Sequence, residues 1–386
     1  MKGWRKFRLG DGCITNANSY TPKEKWKFVN YLDTGNITDN KINAIQYIDI
    51  KNKKLPSRAR RKVQENSIIY STVRPKQRHF GIIKNQPDNF LVSTGFVVID
   101  VNESILDADF LYYLLTQNIV VEKLHIIAEQ SVSTYPSIKP SDIENLEISI
   151  PDIVVQKRIA SILGCLDKKI EQNNMINKNL SEQLQALYTS EFDVTIHHAT
   201  AKLSDICHYS VEKVNVDELS TKTYYSTENM QPNKVSSVEA TNLPNIKQTT
   251  RCHKGDVLVS NIRPYFKKIE YVTTECGCST DVLCFVPASK ELSAFLYETL
   301  YADRFFDYMV AGSKGTKMPR GDKQQIMQYE VVMPSSEQLL AFNAAATPML
   351  ALITNGLLEN ERLSMLRDSL LPRLMAGELD VSDIDF

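Results

Sequence analysis

Two long stretches of the chain place apolar residues at the three- and four-residue steps of a helix. The first runs from Gln156 to about Tyr188, and the second from Phe342 until Pro372 interrupts the pattern. Each helix would be roughly 50 Å long, more than one small domain needs for its own core. A narrow apolar stripe on so long a helix predicts a partner helix, although each helix could instead lie across its own globule. The predicted contact positions are Ile162, Leu166, Ile170, Leu180 and Leu187 in the first helix and Leu350, Ile353, Leu357, Leu363 and Leu370 in the second.

A mixed pattern precedes each helix. Short runs of β-branched and aromatic residues, broken by Gly, Pro, Asn and Asp, predict strands up to about residue 150 and again from about 193 to 333. One segment in each stretch, beginning at Asp109 and at Leu292, has helical spacing. Each stretch closes with a strand that a proline ends, so both predict a mixed α/β globule that leads into a long helix.

The two stretches repeat each other. The segment NSIIYSTVRP matches GDVLVSNIRP at an offset of 189 residues, which places Arg74 and Pro75 on Arg263 and Pro264. The offset falls to 186 and 185 in the next segments and then holds at 183 from residue 136 through both helices. Small deletions in loops produce such a decrease, so one structural unit is present twice.

Length and composition limit the class of protein. A chain of 386 residues predicts about two or three domains, and 42% hydrophobic with 24% charged residues is typical of a globular protein. We find no apolar run near the roughly 20 residues that span a bilayer, and the basic N-terminus lacks the apolar core of a signal peptide. We therefore expect a cytoplasmic protein without membrane contact.

Charge is unevenly distributed along the chain. Residues 1–150 carry 21 Lys and Arg against 16 Asp and Glu, 193–333 carry 16 against 17, and 334–386 carry 3 against 8. The formal net charge of -1 therefore hides a basic first globule, which could bind nucleic-acid phosphates by counterion release. A solvated loop and an Arg-Pro pair that only ends a strand are the alternatives. The candidate DNA contacts are Arg58, Arg60, Arg61, Lys62, Arg74 and Arg78 in the first globule and Arg251, Arg263, Lys267 and Lys268 in the second.

No catalytic or cofactor motif accompanies these residues. The sequence contains no G-x-G-x-x-G, no phosphate-binding loop and no Glu-x-Lys triplet of the kind found in many metal-dependent nucleases. Cys252, Cys276, Cys278 and Cys284 lie near His253 but lack paired C-x-x-C spacing, which favours reduced thiols over a zinc site. We predict no catalytic residue and no metal ligand in this chain.

Four segments, in order, resemble those of one protein family: PSRARRKV with SIIYSTVRP, GDVLVSNIRP, IPDIVVQKRIASIL and LLPRLMAGEL. With two variable globules and two long helices, each entered through a strand and a proline, the chain resembles the specificity (S) subunits of type I restriction-modification systems. The resemblance covers essentially the whole chain.

This resemblance implies two target recognition domains, each reading one half of a bipartite asymmetric DNA sequence, with the helices as a spacer between them. Two methyltransferase (M) and two restriction (R) subunits would join the chain on double-stranded DNA. S-adenosylmethionine, ATP and magnesium would belong to those partners, and this chain would bind no cofactor.

The expected fold is of the α+β class: a tandem repeat of two mixed α/β globular DNA-recognition domains separated by two long helices packed as an antiparallel coiled coil. The alternatives are a DNA endonuclease or methyltransferase with unrecognised catalytic motifs, a coiled-coil scaffold unrelated to DNA, and a specificity subunit of a modification-only system. The predicted segments are recognition domains 1–150 and 193–333, long helices 151–192 and 334–378, and a tail 379–386.

Overall fold

A computed structural model describes residues 3–130, 136–381 and 384. The chain divides into two compact units: unit 1, which comprises Met1–Ile170 and Glu361–Phe386, and unit 2, which comprises Glu171–Asn360. Each unit therefore includes part of both long helices, and unit 1 is completed by a segment from the far end of the chain.

The described part of unit 1 contains strands and three short helices before the first long helix. The strands are β1 (Arg5–Arg8), β2 (Cys13–Thr15), β3 (Phe28–Leu32), β4 (Ile37–Thr38), β5 (Lys41–Ile42), β6 (Gln46–Asp49), β7 (Ala59–Lys62), β8 (Ile68–Ser71), β9 (Phe80–Ile82), β10 (Phe90–Ser93), β11 (Phe96–Val101) and β12 (Glu147–Ile150). The helices are α1 (Ala108–Thr116), α2 (Asn118–Glu129), α3 (Pro140–Glu144) and α4 (Ile153–Phe192).

Two four-stranded sheets form the frame of unit 1. One has the antiparallel order β2-β11-β8-β9, and the other has the order β6-β3-β10-β7, in which β3 and β10 run parallel. Strand β8 is buried at every position because helices cover one of its faces and the second sheet covers the other. This accounts for its unbroken run of large β-branched and aromatic residues, which is typical of a strand without a solvent face.

Unit 2 has the same frame. Its strands are β13 (Ala201–Lys202), β14 (Cys207–Tyr209), β15 (Lys213–Asn215), β16 (Tyr224–Tyr225), β17 (Gln248–Cys252), β18 (Val257–Ser260), β19 (Ile269–Tyr271), β20 (Cys276–Cys278), β21 (Val282–Pro287) and β22 (Glu330–Val331). Its helices are α5 (Leu203–Ile206), α6 (Ser293–Tyr301), α7 (Asp303–Ala311), α8 (Lys323–Ile326) and α9 (Ser336–Met375). The sheet order β14-β21-β18-β19 matches β2-β11-β8-β9 of unit 1. In the other sheet, β15-β17-β20-β16, the strands β16, β20 and β17 correspond to β3, β10 and β7, and β16 and β20 are parallel as β3 and β10 are. The fourth strand differs, because β15 pairs with β17 whereas β6 of unit 1 pairs with β3. The fold thus has the mixed composition and the internal repeat that the sequence predicts.

The long helices α4 and α9 pack against each other within each unit. In unit 1, Ile159 and Leu163 of α4 share a core with Leu374 and Met375 of α9. In unit 2, residues late in α4 share a core with residues early in α9, so the pairing is antiparallel: Leu184, Tyr188 and Phe192 lie with Phe342, Ala346 and Leu350. Among the predicted packing positions, Leu350 is buried, and Ile162, Leu166, Ile170, Leu180, Leu187, Ile353, Leu357, Leu363 and Leu370 are half-buried.

Two details of the helices differ from the sequence pattern. The pattern places an interruption at Pro372, yet α9 continues to Met375, and the Ala376 amide donates to the Pro372 carbonyl at 2.9 Å. Both Pro348 and Pro372 are exposed, so water can reach the carbonyls that a proline leaves without a donor. The polar middle of α4, which looked solvated, buries Asn173 and Asn177, with exposed fractions of 5% and 8%.

These two asparagines form a polar layer between the helices of unit 2. Asn173 Nδ2 donates to Glu359 Oε2 at 2.8 Å and to Asn360 Oδ1 at 3.0 Å. Asn177 lies over Gly356, where a Cβ atom would come within 2.7 Å of the Asn177 Oδ1. A buried polar contact of this kind fixes the register of two helices, because a slipped register would leave the amides without partners.

Helix α9 is the one helix in the described residues that is long and apolar enough to cross a membrane. An 18-residue window reaches a mean hydropathy of 1.3. This corrects the expectation that no stretch is long and apolar enough to span a bilayer. Polar residues are scattered along α9, so it contains no unbroken apolar run although its mean hydropathy is high. A single such helix is weak evidence for a membrane span, since helices that pack in a protein core pass the same test.

The two units differ where their short helices meet the long ones. In unit 1 the Tyr113 hydroxyl donates to Asp167 at 2.7 Å, and Asp167 pairs with Arg367 of α9, also at 2.7 Å. The repeat places Glu298 on Tyr113 and leucines on the ion pair, Leu350 on Asp167 and Leu184 on Arg367. Glu298 is only 2% exposed, and its Oε2 has no hydrogen-bond partner among the described residues. Burial raises the pKa of Glu298 to about 8, against the opposing influence of Lys234.

We expect Asp167 and Arg367 to stabilise unit 1 as a coupled pair. Both side chains are about two-thirds shielded from solvent, so a double-mutant cycle of Asp167→Ala and Arg367→Ala should give a coupling of about 1 kcal/mol in the free energy of unfolding. The exposed pair Arg373 and Glu378, 3.9 Å apart, is the matched control and should give almost none. Equal coupling in the two cycles would contradict a special role for Asp167 and Arg367.

Glu298→Gln should stabilise the protein more as the pH rises. An acid with a folded-state pKa of about 8 and an ordinary value of 4.5 loses its proton on unfolding between those values, so wild-type stability falls as the pH rises through that window. The substitution removes this loss, and we expect a gain of about 2 kcal/mol at pH 8 and a smaller gain at pH 5. Thermal unfolding at both pH values tests this, with exposed Glu291→Gln as the control. A gain independent of pH would contradict it.

Candidate nucleic-acid interface

The arginine-rich segment 58–62 forms an edge strand, and its side chains differ in burial and in their partners. Ala59 is fully buried and anchors β7 against β10. Lys62 pairs with Glu24 and lies over the Trp26 ring, 5.2 Å from its centroid. Arg61 is half-buried, and desolvation lowers the pKa of its guanidinium. The charge of Lys62 is therefore committed within unit 1, whereas the buried Arg61 Nε has no hydrogen-bond partner among the described residues.

Arg58 and Arg60 combine a fixed backbone with free guanidinium groups. The Arg58 carbonyl accepts from the Thr94 amide at 2.8 Å, and the Arg60 carbonyl accepts from the Tyr20 amide at 2.7 Å. Neither guanidinium has a hydrogen bond or an ion pair within residues 3–130, 136–381 and 384. A held backbone with an uncommitted guanidinium can grip a phosphate or the edge of a guanine with two donors.

The Arg-Pro turn after β8 has an unusual backbone. Arg74 and Arg78 are both left-handed, with φ of 49° and 55°, on either side of a single 3-10 turn at Pro75–Gln77. Arg78 donates to Asp39 at 2.6 Å and to the Thr116 carbonyl at 3.2 Å, and it lies over Phe80, so it locks the turn onto the unit. Arg74 has no such side-chain bond in the part of the chain that is described. Among the predicted contacts of unit 1, Arg58, Arg60 and Arg74 are thus uncommitted.

The same turn recurs in unit 2. Arg263 and Lys267 are both left-handed, with φ of 51°, around Pro264–Phe266. Each turn is tied down in the same way, since the amides of Arg74 and Arg263 donate to the carbonyls of the repeat-related Pro136 and Pro319, respectively. Non-glycine residues in this conformation cost of order 1 kcal/mol each, and such strain persists only where the surroundings impose it. The shared backbone therefore belongs to the frame, whatever the side chains contact.

The predicted basic contacts of unit 2 are mostly engaged with other groups. Arg263 Nη2 donates to the Lys317 carbonyl at 3.4 Å, and Lys268 Nζ donates to the Thr227 carbonyl at 2.5 Å. Lys267 pairs with Asp303 at 2.8 Å, and Arg251 pairs with Glu218 at 3.3 Å and with Glu275 at 3.9 Å. Unit 2 therefore offers much less uncompensated positive charge at these positions than unit 1.

A carboxylate pair also surrounds His253. Its ring nitrogens lie 3.0 Å from Glu212 and 2.9 Å from Glu275, and hydrogen bonds to these two carboxylates raise the pKa of His253. This acidic border, absent from the sequence-based prediction, adds negative charge beside Arg251. The signal was present in the sequence as separate acids at 212, 218 and 275, but only the sheet brings them together.

The four neighbouring cysteines of unit 2 converge in a buried cluster between its sheets. Cys252 and Cys276 are directly opposite on β17 and β20, and Cys284 reaches the cluster from the other sheet. All are free thiols, and hydrogen bonds from the Cys252 thiol to Cys276, Cys278 and Cys284, together with burial, raise the pKa of Cys252. Within the described residues, no group of three or more His, Cys, Asp or Glu side chains could hold a metal ion. The cluster is therefore read as core packing.

Six exposed lysines of unit 1 were not among the predicted contacts. They are Lys23, Lys25, Lys27, Lys51, Lys53 and Lys54, and they flank one end of the β3–β6 pair. The runs KEKWK and KNKK were the available signal, although their proximity depends on strand pairing that the sequence does not reveal.

The chain is similar to proteins of one family over its whole length. A family model described as "Type I restriction modification DNA specificity domain" matches residues 1–182. The chain is 24% identical to the type I restriction enzyme HindI specificity subunit of Haemophilus influenzae, with 98% of this chain and all of that protein covered. It is 22% identical to the type I restriction enzyme MjaIX specificity subunit of Methanocaldococcus jannaschii, with 95% and 92% covered.

A solved structure has the same fold. The S subunit of a type I restriction-modification system from M. genitalium superimposes with a TM-score of 0.59 at 16% identity, with 96% of each chain covered. At this identity the likeness establishes the fold, and the repeated units of sheets and long helices are part of it.

Removal of the free arginines should flatten the salt dependence of duplex binding. Each lost phosphate contact lowers the slope of log affinity against log salt by about 0.9. We expect most of the effect of Arg58→Ala/Arg60→Ala/Arg61→Ala from the first two, because Arg61 is half-buried. Fluorescence anisotropy at several salt concentrations measures the slope. Arg78→Ala, which breaks a structural ion pair, should lower thermal stability and leave the slope nearly unchanged. An unchanged slope in the triple variant would refute the assignment.

Proposed function

Because the chain is a type I restriction-modification specificity subunit, by its family match over residues 1–182 and by relatives that cover nearly its whole length, we propose that units 1 and 2 each read one half of a bipartite, asymmetric DNA target. The chain is a DNA-recognition subunit and not an enzyme, since the relatives it matches are named specificity subunits. The alternative of a DNA endonuclease or methyltransferase is not favoured.

The observation that carries this proposal is one frame with two different surfaces. One four-stranded sheet, three strands of the other sheet and the strained turn recur in both units. Unit 1 presents free Arg58, Arg60 and Arg74, whereas unit 2 pairs Arg251 and Lys267 with carboxylates. Equivalent frames with unlike side chains are suited to unlike half-sites, because base edges are distinguished by the donors and acceptors that reach them.

Specificity subunits of type I systems function together with methylase and restriction subunits. We propose two subunits of each kind for this chain, with S-adenosylmethionine, ATP and magnesium bound by those partners, in the cytoplasm. Support comes from the long helices, which leave large apolar side chains uncovered. In unit 2 these include Met175 at 66% and Leu352 at 56% exposed, and in unit 1 Met365 at 61% exposed. We assign this helical face to the methyltransferase subunits, since its apolar area lacks cover within each unit.

Co-expression with the neighbouring methyltransferase subunit tests the proposed function. Methylated positions should be mapped across a genome that lacks other adenine or cytosine modification. A gapped motif of two unlike halves is the expected result, and a continuous palindrome would contradict two-reader recognition. Co-expression that adds the restriction subunit then separates a restricting system from a modification-only one, since only the former cuts unmethylated DNA.

A further inference from the structure

Unit 1 carries a second cationic surface, one segment of which contacts the arginine strand through Glu24 and Trp26 on Lys62. Its members are exposed lysines on two neighbouring segments, a strap before β3 and the turn after β6, and we refer to them together as the lysine surface: Lys23, Lys25, Lys27, Lys51, Lys53 and Lys54. Among the described residues none of their side chains makes a hydrogen bond or an ion pair.

Strand pairing brings the two segments together. Strands β3 and β6 are antiparallel, with Phe28 opposite Asp49, so the start of one strand lies beside the end of the other. The Ile50 amide donates to the Lys27 carbonyl at 3.1 Å, which continues the pairing beyond the strand ends. The three lysines of the strap and the three of the turn therefore occupy one end of the β3–β6 pair.

The acids at this end have other partners. The Glu24 carboxylate accepts a hydrogen bond from the Thr21 amide at 3.0 Å and pairs with Lys62. The hydrogen bond from Lys62 is the main cause of the lowered pKa of Glu24. Asp49 accepts from the Lys51 amide at 2.9 Å and from the Asn52 side chain at 2.8 Å. These carboxylates shape the strap and the turn, and neither pairs with a side chain of the lysine surface.

The strap is held rigidly. Trp26, between Lys25 and Lys27, packs on Tyr20 with ring centroids 4.7 Å apart, and the Lys62 ammonium lies on its ring. A rigid support reduces the entropy lost when the neighbouring lysines bind a ligand.

The β3–β6 pair that presents these lysines is particular to unit 1. In the described part of unit 2 no strand pairs with β16 as β6 pairs with β3, and the segment before β16 carries Asp217 and Glu218 as well as Lys222. The shared frame therefore does not account for the lysine surface. Six exposed ammonium groups repel one another, and a bound anion relieves that repulsion.

We propose that the lysine surface is a phosphate-binding surface for the duplex DNA that unit 1 reads, and that it supplies affinity without sequence preference. This inference rests on the proposed function. A lysine ammonium is a strongly hydrated point charge without the planar fork of arginine, which suits contact with phosphates more than readout of bases. Unit 1 thus separates the two tasks, with lysines for position and arginines for readout.

The full chain in complex with its methyltransferase subunit is titrated with a target duplex and an unrelated duplex at 50 to 300 mM KCl. Lys51→Ala/Lys53→Ala/Lys54→Ala should lower the salt slope by about 2 to 3 and weaken both duplexes by the same factor. The methylated motif should be unchanged. The charge-conserving Lys51→Arg/Lys53→Arg/Lys54→Arg variant should retain the wild-type slope.

A control removes three exposed lysines outside both sheets of unit 1, Lys168, Lys178 and Lys290, for the same change in net charge. If the two triple alanine variants have equal slopes, the proposal is overturned and the lysines form a solvated face. Loss of the methyltransferase subunit with an unchanged slope would also overturn it, since the surface would then contact protein. A wild-type complex without affinity for either duplex would instead overturn the proposed function itself.

Discussion

The antiparallel pairing of α4 with α9 is the interaction on which both units depend. Unit 1 takes Leu374 and Met375 from the end of the chain, so its core is complete only with a segment that is remote in sequence. Unit 2 is one continuous stretch, whose core joins Leu184 and Tyr188 of α4 to Phe342 and Leu350 of α9. Burial of such side chains contributes roughly 1.5 to 3 kcal/mol each, which makes the helix pair a condition for the globules. The polar layer of Asn173 and Asn177 then selects one register among those that an apolar stripe alone would permit.

A comparison of the two units shows which structural features they share and which occur in only one of them. Strand β8 and its counterpart β18 are buried in both units, and the left-handed turns after them coincide within a few degrees. The contacts at the equivalent positions do not coincide: unit 1 uses Tyr113, Asp167 and Arg367, whereas unit 2 buries Glu298, whose Oε2 has no hydrogen-bond partner in the part of the chain that is described. Duplication therefore preserved the backbone while the polar contacts diverged. The unpaired Glu298 is a destabilising feature that the large apolar core of unit 2 tolerates.

The sequence predicts the architecture well because its signals are periodic. Offsets between copies and helical spacing reveal the duplication, the two long helices and their mutual packing from residues close together in the chain. The state of each cationic side chain is different, because it depends on partners far away in sequence. Lys62 is paired by Glu24 from 38 positions away, and Arg251 by Glu218 and Glu275, contacts that only strand pairing creates. The same reason explains why Asn173 looked solvated and why the lysines at 23–27 and 51–54 were not recognised as neighbours.

In the function we propose, affinity and specificity have different origins within unit 1. A contact that distinguishes bases needs a guanidinium or amide held in a defined direction, and β7 provides this for Arg60 through the bond from the Tyr20 amide. A contact with phosphates needs only unpaired charge near the backbone of the duplex, which loops supply without cost to the frame. A change in the sequence of the strap or the turn can consequently alter affinity while the strands that orient the arginines remain intact.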